Sequence, residues 1–164
     1  MLNAQDWDIE HIDSFHTNAL KKDDLKKEWI TTAFEDRKNY LSEEEKTTIE
    51  SKMENKDYDS VIDLLKKNAG ETEVDEDIKN GIGNLTLLDS ETNRSYGNSL
   101  FCTKRRIIID RIKQGVFVPV ATQYIFSKFY DEKGTNRSVW AKEDMEAYQK
   151  YIVKMLSEYL PENN

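Results

Sequence analysis

Two short segments with strand character stand far apart in a chain whose remaining pattern is helical, and this spacing constrains the fold more than any other feature. Residues 6–12 alternate around Trp7 and Ile9, and Ile82–Leu88 forms a second apolar run. Gly81 and Gly83 permit a tight or bulged backbone where that run begins. Between the two segments, Leu20, Leu25, Trp29, Ile30, Ala33 and Phe34 recur at three- and four-residue spacing, which predicts a helix from Asn18 to Tyr40. Ser42, with Glu45 three positions on, reads as a capping box that opens a second helix towards Met53. Tyr58, Val61, Ile62, Leu64 and Leu65 mark a third, stopped at Asn68-Ala69-Gly70. Residues 71–77 form an acidic linker, so the whole of 18–80 reads as a helical insertion between two strands.

Downstream, the polar residues 89–97 read as a loop, and Asn98 or Ser99 as the cap of a helix from Leu100 to about Gln114. Leu100, Phe101, Ile107, Ile108 and Ile112 supply its buried side and Gly115 its stop. A helix containing Tyr124, Ile125, Phe126 and Phe129 follows Pro119. A last amphipathic helix starts near Val139, and its Trp140, Tyr148, Tyr151 and Tyr159 are core-type aromatics at helical spacing. The fold class expected is α+β, mainly helical: strand, long insertion, strand, loop, helix, then C-terminal helices. With 37% apolar and 34% charged residues, 164 positions suffice for one domain, 1–164, with a real core.

No apolar run reaches the length needed to span a bilayer, and the N-terminus lacks the layout of a signal peptide. A cytoplasmic protein with no membrane partner is expected. Cys102 is alone, which excludes an internal disulfide, and one cysteine with two histidines cannot close a structural zinc site. Any metal must be held mainly by oxygen. Cys102 itself reads as a small buried residue, since nothing near it in sequence would activate a nucleophile. A net charge of −8 argues against bulk coating of nucleic acid, yet the charge is uneven. Residues 41–80 hold 13 Asp and Glu against six Lys, whereas residues 93–115 hold six Lys and Arg against Asp110 alone. A local basic footprint on an acidic chain suits brief, local contact with DNA.

The residues that carry chemistry occur in order: Glu10-His11 at the end of the first strand, then Gly83-Asn84-Leu85-Thr86-Leu87-Leu88, Asn93, Gly97-Asn98, Phe101 and Lys104. Together they resemble the HNH, or ββα-metal, nuclease site of the C-terminal domains of GmrSD-type restriction proteins. The resemblance implies a ββα-metal core in which His11 is the general base, Glu10 and Asn93 hold a metal ion, and Asn84 orders the site. It assigns Lys104 to a phosphate, with Arg94 and Arg105 as further nucleic-acid contacts. The implied activity is metal-dependent hydrolysis of DNA in restriction of foreign or modified DNA, a phage-defence role, with RNA left open as substrate. The implied cofactor is Mg²⁺, or Mn²⁺ in its place. A ParB-like, NTP-using N-terminal region of the same polypeptide is the implied partner, because the motif begins only a few residues after Met1 and suggests a C-terminal part of a longer protein.

These assignments agree with elementary chemistry. A histidine is substantially neutral at cellular pH and can take a proton from water, and Mg²⁺ accepts a few protein oxygens while retaining water and a phosphate oxygen. Two features depart from the pattern: Ile12-Asp13-Ser14-Phe15 stands where relatives often carry a proline, and Asn93 occupies the third HNH position. On a regular strand Glu10 and His11 also point to opposite faces, and converge only at a bulge or strand end. Asp8 shares the Glu10 side and is the reserve metal ligand; Asp13 shares the His11 side, where it would orient the imidazole or replace Glu10. His16 lies in a turn and is a weaker ligand. The alternative reading is a catalytically inactive HNH-like module that binds nucleic acid or protein.

Overall fold

The computed structural model describes residues 6–13, 20–71, 74–129 and 138–159. Strand β1, Trp7–His11, is followed by helices α1, Asp23–Arg37, α2, Glu43–Glu54, α3, Tyr58–Asn68, and the short α4, Glu76–Lys79. A 3-10 turn, Ile82–Asn84, leads into strand β2, Leu85–Asp89. Then come α5, Ser90–Tyr96, α6, Phe101–Lys113, α7, Val120–Ser127, and α8, Lys142–Met155, with a closing 3-10 turn at Ser157–Tyr159. The fold is α+β and mainly helical, its sheet being one antiparallel pair with Trp7 opposite Asp89 and His11 opposite Leu85.

Two buried clusters divide the described residues. Helices α1, α2 and α3 enclose Trp29, Ile30, Ile49, Tyr58, Val61 and Leu65, which form the core of the segment between the strands. The capping box at Ser42 and Glu45 is formed in full. The second cluster joins Leu88 of β2 to Phe101 and Ile108 of α6, Phe126 of α7, and Trp140 and Met145 at α8. Phe101 lies between Phe126 and Trp140, with ring centroids 5.3 Å away on each side. Leu100, fully buried at the start of α6, belongs to the first cluster, so α6 ties the insertion to the ribbon.

Two local expectations change. Residues 82–84 are a 3-10 turn and not the start of the strand, because the Asn84 N–H donates to Gly81 O at 2.9 Å and closes the turn. Residues 90–96, expected as a loop, are helix α5, whose N-cap Asp89 accepts from the backbone N–H groups of Glu91 and Thr92. Among the described residues no helix is long and apolar enough to cross a membrane.

Candidate active site

The inner face of β1 is occupied by acids. Trp7 and Ile9 are exposed, Ile9 by 70%, while Asp8 and Glu10 on the opposite face are half-buried against α5. Placing carboxylates inward and an isoleucine outward reverses the ordinary partition and costs desolvation, so the inner acids need partners. They find one in Asn93, whose Nδ2 donates to Asp8 Oδ2 at 2.9 Å and to Glu10 Oε1 at 2.8 Å. Local structure explains the meeting: strand alternation aligns Asp8 with Glu10, and the Asp89 cap starts α5 so that Asn93 lies above them.

The segment just beyond β1 is held by a second asparagine. Asn84 is fully buried; its Nδ2 donates to Asp13 O at 3.0 Å and Lys79 O at 2.9 Å, and its Oδ1 accepts from the Asp13 N–H at 2.9 Å. The Asn84 carbonyl also accepts from the Ile12 N–H at 2.8 Å. Both ends of the amide are satisfied, and the chain leaving His11 is thereby clamped to the turn before β2. Gly83 lets that turn approach α8: a Cβ there would lie 2.1 Å from the Met145 carbonyl oxygen.

His11 is the last paired residue of β1, and the ladder runs through it without a bulge. Its ring lies on the face opposite Glu10 by alternation, with Nε2 3.1 Å from Asn80 Oδ1. The convergence of Glu10 and His11 that a bulge would produce is therefore absent, and Asp8 takes the place beside Glu10. Asp13 meets Asn84 through its backbone, and His16 lies outside the described residues.

The basic positions divide. Lys104 is fully buried, donating to Ile12 O at 3.0 Å and His11 O at 3.3 Å, so it braces the backbone behind the histidine instead of facing a phosphate. The physical reason is its place on α6, four residues after Leu100 and four before Ile108, within the buried stripe. Burial pulls its ammonium down to about 8, against the opposing pull of the Asp13, Glu71 and Glu10 carboxylates. Burial likewise pushes the Glu71 carboxyl up to about 8, with the Asp13 charge adding to the effect and Lys66, Lys104 and Lys79 opposing it. Arg105, half-buried, donates Nε to Phe126 O at 2.8 Å and links α6 to α7. Arg106 grips Asp36 through two nitrogens, and Arg111 pairs with Glu91 at 3.0 Å. Much of the positive charge of 93–115 is thus engaged internally. Arg94 is exposed on α5, next to Asn93, at the rim of a cleft of about 590 Å³ between α1 and the start of α6.

Residues 20–155 match the family described as GmrSD restriction endonucleases, C-terminal domain. The chain belongs to this family. No curated protein and no solved structure gives a match to it. Membership in this family points to a nuclease of the restriction-endonuclease type. The matched residues contain Asn84, Asn93 and Lys104 but begin after β1, so Asp8, Glu10 and His11 join the site through the pairing of β1 with β2.

Among the described residues no group of three or more His, Cys, Asp or Glu side chains is arranged around a metal position. The donor set that does converge is two carboxylates and one amide. That set fits a hard divalent cation, which binds through few protein oxygens and keeps water. The shared Asn93 Nδ2 sits where both carboxylates already direct lone pairs, and turning the amide about its terminal torsion presents Oδ1 instead. Asn80 and Asp8 are the site residues that sequence reasoning underweighted. Asp8 was accessible from strand alternation; Asn80 carries no local signal, since it lies 69 positions from His11.

Proposed function

We propose that this chain is a metal-dependent endonuclease of the HNH type that hydrolyses DNA phosphodiester bonds in restriction of foreign or modified DNA. The observation that carries the reading is the single Asn93 amide hydrogen-bonded to both Asp8 and Glu10, on the strand that ends at His11. In this reading β1, β2 and α5 are the ββα core, and Asp8, Glu10 and Asn93 hold Mg²⁺ or Mn²⁺. The bound cation supplies charge stabilisation at the phosphate and leaving oxygen. His11 takes the proton from the attacking water, from the far side of the ribbon's end. Asn84 and Lys104 fix the backbone from His11 to Asp13, so the base does not drift from the carboxylates. Arg94 contacts a neighbouring phosphate from α5, and Arg105, whose Nε is held by Phe126 O, is the further nucleic-acid contact. An N-terminal ParB-like, NTP-using region of the same polypeptide would act upstream, and the cytoplasm is where such restriction takes place.

One observation favours the second reading, a binding module without cleavage. His11 and Glu10 leave the strand on opposite faces, and the ring is already engaged by Asn80. Calorimetric titration of Mn²⁺ separates the ligand assignment from activity. Glu10→Ala and Asn93→Ala should each weaken Mn²⁺ binding by about tenfold or more, in parallel with loss of plasmid cleavage. Unchanged affinity in both variants would remove these residues from the metal site.

A further inference from the structure

We propose that the cleft between α1 and the start of α6 is a subsite for one unstacked nucleotide next to the scissile phosphate, an assignment that rests on DNA being what this domain binds. The cleft holds about 590 Å³, the size of a pocket for one small ligand. It adjoins the candidate active site through α5: Asn93, whose amide joins Asp8 and Glu10, is followed directly by Arg94, which lines the cleft. Consecutive side chains of a helix diverge by about 100°, so one turn of α5 presents Asn93 to the ribbon and Arg94 to the cleft. A DNA strand that runs from the carboxylates past Arg94 therefore brings its next nucleotide to this opening.

The lining supplies what a nucleotide needs. Two arginines reach the cleft; Arg106 is engaged by Asp36, whereas Arg94 is exposed and has no ion pair among the described residues. On an acidic chain, a cation kept clear of carboxylates at a cleft mouth is placed for an anion. The half-buried Ser99 hydroxyl also makes no hydrogen bond among the described residues, and it can donate or accept. Glu28, exposed on the α1 wall, opposes a phosphate but accepts from the exocyclic amine of a base. Leu25 and Ile107 face the space from the two helices and gain by covering an apolar base face. Trp29 closes the floor, its indole N–H donating to Asn98 O at 2.8 Å, which fixes the shape of the cleft. A stacked and paired base cannot enter such a concavity, so the nucleotide comes from an unpaired or extruded position.

The test is an NMR titration of the ¹⁵N-labelled chain in EDTA, with a 5′-phosphorylated deoxytrinucleotide as probe and inorganic phosphate as control. The Trp29 indole and Ser99 amide signals should shift saturably with the trinucleotide and stay in place with phosphate alone. Arg94→Ala should weaken trinucleotide binding by about tenfold, and Ser99→Ala by about two- to tenfold. Thr32→Trp, at a half-buried position on the α1 wall, should occlude the cleft and abolish the shifts, with an unchanged melting temperature showing that the variant is folded; if it does not fold, the two smaller substitutions decide. Shifts that phosphate alone reproduces, trinucleotide binding that leaves Trp29 and Ser99 unmoved, or affinity undiminished in both Arg94→Ala and Ser99→Ala overturns the inference. Because the titration needs no cleavage, a filled cleft in a chain that never nicks DNA would sink the nuclease reading and leave the nucleotide subsite standing, and an empty cleft in an active nuclease would do the reverse.

Discussion

Gly83→Ala is a small change with a large expected consequence. The added Cβ would meet Met145 O at 2.1 Å and Met145 C at 2.9 Å, both backbone atoms of α8, whereas ordinary contact begins at 3.4 Å. No flexible side chain can move aside. Helix α8 is anchored by Met145 and Tyr148 in the second core cluster, so the displacement falls on the 3-10 turn that carries Asn84. Overpacking a well-filled contact costs about 1–3 kcal/mol, and a backbone-to-backbone clash belongs at the upper end. For a chain of this size about 3 kcal/mol lowers the melting temperature by roughly 6–12 °C. Thermal melts followed by circular dichroism measure this, with Gly115→Ala as the control: Gly115 has φ +77° and nothing within 4 Å of an added Cβ, leaving only backbone strain of about 1 kcal/mol. Faster amide exchange at Asp13, whose N–H is held by Asn84, should accompany the loss. A Gly83→Ala protein that melts within about 2 °C of the wild type would refute the close approach of this turn to α8.

Three further outcomes are expected. The raised Glu71 carboxyl favours the folded state when protonated, so its contribution is complete below about pH 4.5 and is lost as pH rises to about 8; denaturant titrations should show that decline, and Glu71→Gln should flatten it. Lys104→Met leaves the His11 and Ile12 carbonyls without their donor and should cost about 1–3 kcal/mol, measured by chemical denaturation. Because the Lys104 ammonium is buried, that variant should leave the salt dependence of DNA binding unchanged, whereas Arg94→Ala should reduce the logarithmic slope by about 1; the reverse pattern in salt-titrated binding would return Lys104 to the phosphate.

Local pattern made much of the fold legible. The apolar spacing around Trp29 and Leu65, the Ser42 and Glu45 box and the stop at Gly115 each report a feature formed within a few residues, and each recurs in the structure. Helix α5 escaped because its seven residues are polar and too short to show a period, although Asp89 ahead of Glu91 was an available start signal. Lys104 escaped for another reason: its charge argued for solvent, while its spacing from Leu100 and Ile108 put it on the buried face. Periodicity was the better guide there. The engagement of Asn80 with His11, and of Gly83 with Met145, depends on elements brought together across 69 and 62 positions, and nothing local encodes either. The ordered set Glu10-His11, Asn84, Asn93 was readable as a motif, and strand alternation already put Asp8 beside Glu10, whereas its meeting with Asn93 depends on α5 folding over β1.

The most direct measurement is nicking of supercoiled plasmid by the purified chain in Mg²⁺, Mn²⁺ or EDTA, set beside a folded His11→Ala variant. Cleavage that requires the divalent ion and falls by two or more orders of magnitude in the variant is the predicted result. Equal cleavage by both proteins, or cleavage that persists in EDTA, would contradict a metal-dependent nuclease with His11 as its base.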